Sequence, residues 1–223
     1  MELITSGRDC DIYDAGPGLV LRRTKSGRSI EHEGRLMTYL HEQGYPVPRV
    51  ERAEGSDVVM ERIEGPTLVD HALRRPLRLG RWAEMLADLH RRLHRLEAPD
   101  WLPDSGDGGA AILHYDLHPL NVLMSDRGPI VIDWTNARRG LPASDVCQTW
   151  VILASSTIEG SLIERRLGPV FRRLYVRSFL RHFDADEARA RLRGVGEERK
   201  RDRNVRPEEK VAIDRLIARA APG

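Results

Sequence analysis

The side chains best suited to chemistry lie around a short predicted hairpin in the middle of the chain. Two apolar triplets, which begin at Val122 and Ile130, are separated by Ser-Asp-Arg-Gly-Pro, a sequence typical of a hairpin turn. With the turn centred near Arg127, Asn121 would face Asp133 at the open end, and their Cβ atoms would be about 5 Å apart. An amide oxygen and a carboxylate at that spacing suit Mg²⁺. The pattern therefore predicts a magnesium site.

A second carboxylate lies close to this pair in the sequence. Asp116 is five residues before Asn121, in a loop that Pro119 keeps from becoming helical. We expect Asp116 to lie near the metal pair but outside it, where it could accept a proton from an incoming hydroxyl. The structural alternative is a turn-capping aspartate, an edge asparagine and a strand-terminal aspartate, each common singly. Their combination with His114 favours the catalytic interpretation.

Strands and one helix are predicted before residue 64. Short apolar runs separated by Gly and Pro predict strands near residues 2–5, 11–13, 19–22, 50–52 and 58–60. A helix is predicted from about Ser29 to Gln43, because apolar residues recur at helical spacing and Gly44 follows. We expect a hinge at Glu64-Gly-Pro66 to end this first lobe.

Helices dominate the prediction for the rest of the chain. One is expected from about Arg81 to Leu96, where leucines form a single stripe. Four more are expected after the hairpin, near residues 145–155, 169–183, 185–193 and 207–220. The sequence thus predicts an antiparallel sheet with one helix, followed by a mostly helical lobe that contains one hairpin.

The composition excludes several classes of protein. The chain has 223 residues, is 40% hydrophobic, and has 36 basic against 34 acidic side chains, for a net charge of +2. These values exclude a collagen-like or disordered chain and give no general signal for nucleic acid or membranes. Cys10 and Cys147 are too few for a disulfide scaffold, and the apolar run Trp150–Ala154 is far shorter than the about 20 residues that span a bilayer. We expect a cytoplasmic protein.

The residues around the hairpin read His114-Tyr-Asp-Leu-His-Pro-Leu-Asn121 and then Val131-Ile-Asp-Trp134. This pattern resembles the catalytic loop and metal-binding aspartate of the aminoglycoside phosphotransferase and choline kinase-type family. The resemblance runs from about Thr5 to Leu153 and is weak afterwards. It implies an α+β, two-lobed protein kinase-like fold, with a nucleotide-binding lobe at residues 1–64 and a catalytic, acceptor-binding lobe at residues 65–223.

The resemblance also implies a reaction. The γ-phosphoryl group of ATP, or of GTP as the other donor, would move to a hydroxyl of a small molecule with the help of Mg²⁺. Asp116 would be the catalytic base, and Asn121 and Asp133 would hold Mg²⁺. His118 is similar to a family position near the phosphates or the catalytic loop, and Asp145 to one that steadies the loop.

In the first lobe, the family places nucleotide contacts at matching positions. Gly7 lies in a turn whose backbone N–H groups could cover phosphates. Arg22 stands where lysine is usual; it keeps the charge but presents a planar fork. Glu33 falls on the buried face of the next helix, and a buried carboxylate needs a partner, so an Arg22–Glu33 ion pair is predicted. Backbone groups near Glu61 and Ile63 would bind adenine at the hinge.

Two other functions remain open at this point. A non-catalytic nucleotide-binding module is the chief alternative, and Arg22 together with the single glycine of the phosphate loop favours it. A kinase of protein or RNA substrates is the second, and its only support is the stretch 189–206, which has eight basic and three acidic side chains. No aromatic residue is interleaved in that stretch, so a solvated linker is the stronger interpretation. The acceptor and the oligomeric state do not follow from the sequence.

The sequence does not favour a zinc site. His90 and His94 are four residues apart on a predicted helix, but no third ligand is apparent in the sequence.

Overall fold

The computed structural model describes residues 1–156 and 162–220. The chain forms two compact units. The first comprises Met1–His71 and Leu120–Asn136, and the second comprises Ala72–Pro119 and Ala137–Gly223. The central hairpin therefore belongs to the same unit as the N-terminal strands.

The predicted α+β organisation is confirmed. The strands are β1 (Leu3–Ser6), β2 (Cys10–Asp14), β3 (Leu19–Thr24), β4 (Val50–Glu54), β5 (Asp57–Glu61), β6 (Ala111–Leu113), β7 (Val122–Ser125), β8 (Gly128–Val131) and β9 (Arg138–Gly140). The helices are α1 (Glu31–Glu42), α2 (Leu68–Leu73), α3 (Leu79–His94), α4 (Pro142–Ser155), α5 (Leu162–Leu180), α6 (Ala185–Arg201) and α7 (Pro207–Ala220). Among the described residues, none of these helices is both long enough and apolar enough to span a bilayer.

A five-stranded antiparallel sheet forms most of the first unit, in the order β1-β2-β3-β5-β4. The central strand β3 carries Arg22, which is aligned with Ile12 of β2 and Val58 of β5. Because side chains alternate along a strand, the buried Leu21 and the exposed Arg23 do not share the face of Arg22. The sheet thus fixes the position of Arg22 through hydrogen-bonded strands on both sides.

Helix α1 packs against β4 and β5. Its buried stripe contains Leu36, Met37 and Leu40, as the apolar spacing predicts, and the same face carries Glu33. Gly34 permits the close approach, since a Cβ atom there would lie 2.3 Å from the Cβ of Ala53. The packing of this helix therefore places a carboxylate in the interior of the first unit.

The register predicted for the central hairpin is wrong by one residue. Val122 is aligned with Val131 and Ser125 with Gly128, so the turn is a two-residue loop and is not centred on Arg127. Gly128 makes this tight turn possible with a φ of +110°. The backbone carbonyl of Asn121 consequently accepts the backbone N–H of Ile132 at 3.0 Å, and Asn121 is not aligned with Asp133.

Gly65 allows the segment after β5 to run close to β7. Its φ is +146°, and a Cβ atom there would lie 2.1 Å from the carbonyl oxygen of Met124. The neighbouring Pro66 carbonyl accepts the N–H of Met124 at 2.8 Å, so this approach is fixed by hydrogen bonding.

We expect Gly65→Ala to lower the free energy of unfolding by about 2 kcal/mol or more, because it adds a steric clash to an unfavourable φ. Urea unfolding measures the loss. Gly106→Ala is the matched control, since Gly106 has a φ of +82° and open space around its Cβ position. Equal losses in the two variants would show that the approach to Met124 is not what requires glycine.

Helices form most of the second unit. Helix α4 contacts α5, α6 and α7, while α3 packs on α5 and on β6. Helix α5 begins at Leu162, so the predicted start at Pro169 is wrong. The chain is already helical before Pro169, and the proline removes one N–H donor without ending the helix.

The basic stretch at 189–206 is not a solvated linker over most of its length, because α6 extends to Arg201. Asp184 caps this helix by accepting the N–H groups of Asp186 and Glu187. The buried face consists of Ala188, Leu192, Val195 and Gly196. Helix α6 packs on α4 and α7. Its charged residues lie outside the narrow buried face and are exposed or half-buried.

Candidate active site

The predicted ion pair between Arg22 and Glu33 is present in the first unit. Arg22 Nη1 donates to Glu33 Oε1, and the two side chains are only 12% and 6% exposed. Arg22 Nη2 also donates to Asp133 Oδ1 at 3.0 Å. Burial opposes the charge, but the two carboxylates outweigh it and raise the pKa of Arg22 above its ordinary value. The planar guanidinium group of Arg22 therefore bridges the carboxylates of Glu33 and Asp133.

Two residues that the sequence interpretation missed complete this network. The hydroxyl of Thr135 lies 3.1 Å from Glu33 Oε2 and 2.9 Å from Asp133 Oδ1, and it accepts from Arg22 Nη2 at 3.1 Å. The backbone N–H of Trp134 donates to Glu33 Oε1 at 3.2 Å. The only sequence signal for either residue was its place directly after Asp133.

Both predicted metal ligands belong to the first unit. Asn121 directly precedes β7, and Asp133 lies two residues after β8 with a φ of +64°. The carboxylate of Asp133 is 44% exposed, so it remains accessible although Arg22 contacts it. An amide oxygen and an accessible carboxylate are donors that fit a hard divalent cation.

Three residues predicted to contact the nucleotide, Gly7, Glu61 and Ile63, lie at the end of a strand or just after one. Gly7 follows β1, and its N–H donates to the Cys10 carbonyl at 2.9 Å, within the turn itself. Glu61 ends β5; its N–H donates to the Arg49 carbonyl at 2.8 Å, and its carboxylate binds Arg127. Glu61 and Ile63 line a solvent-open cavity of about 770 Å³ together with the β2–β3 and β7–β8 turns.

Asp116 lies in the second unit, shortly after β6. Its side chain is 17% exposed, and His118 Nε2 is 3.8 Å from its Oδ1 atom. Its backbone N–H donates to Nδ1 of the buried His114 at 3.2 Å. Arg199 of α6 brings Nη1 to 3.5 Å from the same Oδ1 atom. The sequence interpretation missed Arg199, because its only signal was membership of the basic stretch.

The end of α6 also contacts the residue before Asp116. Tyr115, at a φ of +64°, donates its hydroxyl proton to Glu198 Oε2 at 3.0 Å. Arg138 donates to the other oxygen of Glu198 at 2.7 Å and lies 4.0 Å from the centre of the Tyr115 ring. Burial and the Glu198 carboxylate raise the pKa of Tyr115, which keeps its hydroxyl protonated. Helix α6 thereby holds the loop that contains Tyr115 and Asp116.

Asp145 of α4 holds the same loop through its backbone. Its fully buried carboxylate accepts the backbone N–H groups of His114 and Tyr115 at 3.2 and 2.7 Å, as expected of a residue that steadies the loop. It also lies 2.9 Å from His94 Nε2 and 3.3 Å from His90 Nδ1. Burial alone would raise the pKa of Asp145, but its interactions with His90 and His94 hold it well below the ordinary value. The structure thus supplies a third group beside the two histidines, where the sequence showed none.

We expect Asp145→Asn to lower the free energy of unfolding by about 3–5 kcal/mol near neutral pH, because it removes one partner of a buried ionic cluster. A carboxylate with a depressed folded-state pKa stabilises the protein above its unfolded-state pKa, and this contribution is lost as the pH falls through the folded-state value. The difference in unfolding free energy between Asp145→Asn and the parent protein should therefore become smaller at acid pH. Urea unfolding across the acid range checks this, with the exposed Asp100→Asn as control.

Comparisons with known proteins agree with this architecture. The family model of APH, the phosphotransferase enzyme family, matches residues 2–110 and 96–195, which extends beyond Leu153. No curated protein matches the chain.

Solved structures match nearly the whole chain. The streptomycin–ATP complex of APH(2")-IIa has a TM-score of 0.63 at 14% identity, over 97% of this chain and 90% of that one. APH(4)-Ia has a TM-score of 0.64 at 16% identity, over 99% and 93%. A choline/ethanolamine kinase family protein from Mesorhizobium loti has a TM-score of 0.59 at 15% identity, over 96% and 85%.

These likenesses confirm the predicted two-lobed, kinase-like fold. Since the family model also covers most of the sequence, the chain belongs to the phosphotransferase enzyme family.

Proposed function

We propose that this phosphotransferase moves the γ-phosphoryl group of ATP to a hydroxyl of a small molecule in a reaction that depends on Mg²⁺. The observation that carries the proposal is the network in which Arg22 joins Glu33 and Asp133. It places a fixed cation beside a carboxylate that can bind a metal. ATP and ADP in complexes of APH(2")-IIa and APH(2")-Ib support nucleotide binding by analogy. We also propose a cytoplasmic location, which agrees with the free thiols of Cys10 and Cys147.

The first unit would bind the nucleotide. Arg22 would contact the phosphates, and Glu33 and Thr135 would hold its guanidinium in place. Asn121 and Asp133 would hold Mg²⁺, which neutralises phosphate charge when bound. The turn at Gly7 would lie against the phosphates, and backbone groups near Glu61 and Ile63 would bind the base of ATP or GTP.

The second unit would supply the proton acceptor. The acceptor oxygen forms a bond to the γ-phosphorus, the bond from that phosphorus to the β–γ bridging oxygen breaks, and the hydroxyl proton moves to Asp116. His118 and Arg199 lie against the Asp116 carboxylate and would restrict its orientation. Catalysis would thus depend on positioning and charge, since phosphoryl transfer needs little covalent chemistry from the protein.

We expect Arg22→Ala to lower kcat/KM by about 10²–10³-fold, the scale of losing one preorganised charged contact. Glu33→Ala should act in the same direction, because it releases the guanidinium. The two losses should be non-additive in a double-mutant cycle, as is usual for residues in contact. Arg23→Ala is the matched control, since Arg23 lies on the same strand but pairs with Asp57 at the surface. Strict additivity would contradict a functional pair.

A non-catalytic nucleotide-binding module is the second candidate. It is favoured by the way Arg22 already engages both Glu33 and Asp133, and by the Gly7 N–H that bonds within its own turn. Such a module would bind ATP or GTP with no acceptor-dependent turnover, and Arg22→Lys would change its affinity little.

A screen separates the two candidates. The purified full chain is incubated with Mg²⁺ and ATP, or GTP, and a panel of hydroxyl compounds: amino sugars, neutral polyols, choline-like alcohols and sugar acids. Release of nucleoside diphosphate above the rate without acceptor is the expected result. Nucleotide binding with no stimulation by any acceptor class would favour the module.

A further inference from the structure

His90 is a buried histidine whose two ring nitrogens face different polar groups of the second unit. It lies on α3 with 0% exposure, and the rings of Phe179 and Phe183 pack at 5.4 and 6.0 Å from its own. Nε2 lies 3.1 Å from the hydroxyl oxygen of Thr149, and Nδ1 lies 3.3 Å from Asp145 Oδ2. The polar groups at the two ring nitrogens determine the charge on this ring.

The Thr149 hydroxyl fixes the proton on Nε2. This hydroxyl donates to the carbonyl oxygen of Leu117 at 2.8 Å, and it has only one proton to give. Its oxygen must therefore accept from His90 Nε2–H. If Thr149 donated to the ring instead, two oxygens 2.8 Å apart would share no proton in a buried place, which is costly.

The Asp145 carboxylate fixes the proton on Nδ1. In a neutral ring with a proton on Nε2, the lone pair of Nδ1 would face a carboxylate oxygen at 3.3 Å, and this atom has no well-aligned hydrogen bond. Each oxygen of Asp145 accepts a backbone N–H group, from His114 or Tyr115, and hydrogen bonds of this kind favour the ionised carboxylate. A proton on Nδ1 replaces this repulsion by an ion pair.

The other groups that face His90 are consistent with a single positive charge. They are His94 on α3, Asp145 and Thr149 on α4, and the apolar rings of Phe179 and Phe183. Burial lowers the pKa of His94, which favours its neutral form. One imidazolium then balances one carboxylate.

We propose that His90 carries protons on both ring nitrogens and is a positioning residue for the catalytic loop. Through Thr149 it holds the carbonyl of Leu117, and through Asp145 it holds the N–H groups of His114 and Tyr115. These backbone groups lie on both sides of Asp116 in the sequence. The positioning role rests on the function proposed for Asp116, whereas the charge state of His90 does not.

A bound metal ion is the competing explanation. His90, His94 and Asp145 offer three ligand atoms within 4.8 Å of one another. Structural zinc uses four ligands, and the separation of 2.9 Å between His94 and Asp145 is that of a hydrogen bond. The imidazolium therefore accounts better for these atoms.

Proton–nitrogen correlation spectra of the ring, recorded on the full chain labelled in histidine at neutral pH, test the charge state directly. His90 is assigned from its contacts with the Phe179 and Phe183 rings. Protons on both nitrogens are expected, and they should persist in His94→Gln. One protonated and one bare nitrogen would overturn the proposal, and so would stoichiometric zinc in the purified protein. This outcome is independent of whether any acceptor is phosphorylated.

Hydrogen exchange tests the positioning role. In His90→Phe, the Tyr115 amide should exchange at least tenfold faster than in the parent protein, with a smaller change along α3, and kcat should fall more than KM for ATP rises. His41→Gln, on the surface of the first unit, is the control. If amide exchange became equally faster throughout α3 and the loop, His90 would contribute only packing, and the positioning role would be contradicted. If His90→Phe does not fold, the spectrum of the parent protein still decides the charge state.

Discussion

Replacing Asp116 by asparagine should lower phosphoryl transfer by about 10²–10⁴-fold, the usual scale for loss of a general base. The variant keeps the size of the side chain and its ability to lie beside Arg199 and His118. Nucleotide affinity should be unchanged, because the proposed nucleotide contacts belong to the other compact unit. Steady-state kcat with a confirmed acceptor and calorimetric affinity for ATP measure the two effects separately.

Asp88→Asn provides the control for this substitution. Asp88 is an exposed aspartate on α3 that pairs only at the surface with Arg91, so the same chemical change there should leave the rate unaltered. If Asp116→Asn transfers phosphate at the parental rate, the proton acceptor is another group.

Replacing Asp133 by alanine should weaken Mg²⁺-dependent ATP binding by about 100-fold or more. Removing a residue that only hydrogen-bonds to a metal ligand already costs about 10–100-fold in metal affinity, and Asp133 would be a ligand itself. Asn121→Ala should cost less, since the carboxylate supplies charge as well as an oxygen. The ion pair between Asp133 and Arg22 leads to a second expectation, for ATP binding without Mg²⁺. Without Mg²⁺, Asp133→Ala should bind ATP at least as well as the parent protein, because Arg22 loses a carboxylate that competes with phosphate.

Calorimetry with and without Mg²⁺ distinguishes these effects, and Glu42→Ala, which removes an exposed carboxylate at the end of α1 in the same unit, controls for loss of charge. An unchanged Mg²⁺ dependence in both Asp133→Ala and Asn121→Ala would remove these residues from the metal site.

The sequence predicted the features that depend on local periodicity. The apolar spacing of α1 placed Glu33 on a buried face, and the need to neutralise it led to the Arg22 pair. The hairpin register failed by one residue, because it depends on whether the turn has two or three residues. Gly128 adopts a positive φ in this turn, and a glycine in the sequence does not reveal its φ.

The support around Asp116 could not be predicted, because it comes from distant parts of the chain. Arg199 contacts Asp116, and Glu198 contacts Tyr115, each across 83 residues of sequence. Both lie on a helix whose highly charged composition is typical of a linker. The buried face of α6 is too narrow to produce a strong apolar period. The partner of His90 and His94 also comes from a distant part of the chain, because Asp145 of α4 lies within reach of both histidine side chains of α3.

The most direct test of the proposed reaction follows the phosphoryl group itself. ATP with an isotopically labelled γ-phosphoryl group is incubated with Mg²⁺, the purified chain and an acceptor found in the screen, and the products are analysed by mass spectrometry. The account predicts labelled phosphate esterified to the acceptor hydroxyl in an amount equal to the ADP formed, and almost none with Asp116→Asn. Label found only in inorganic phosphate, or at equal yield with Asp116→Asn, would contradict it.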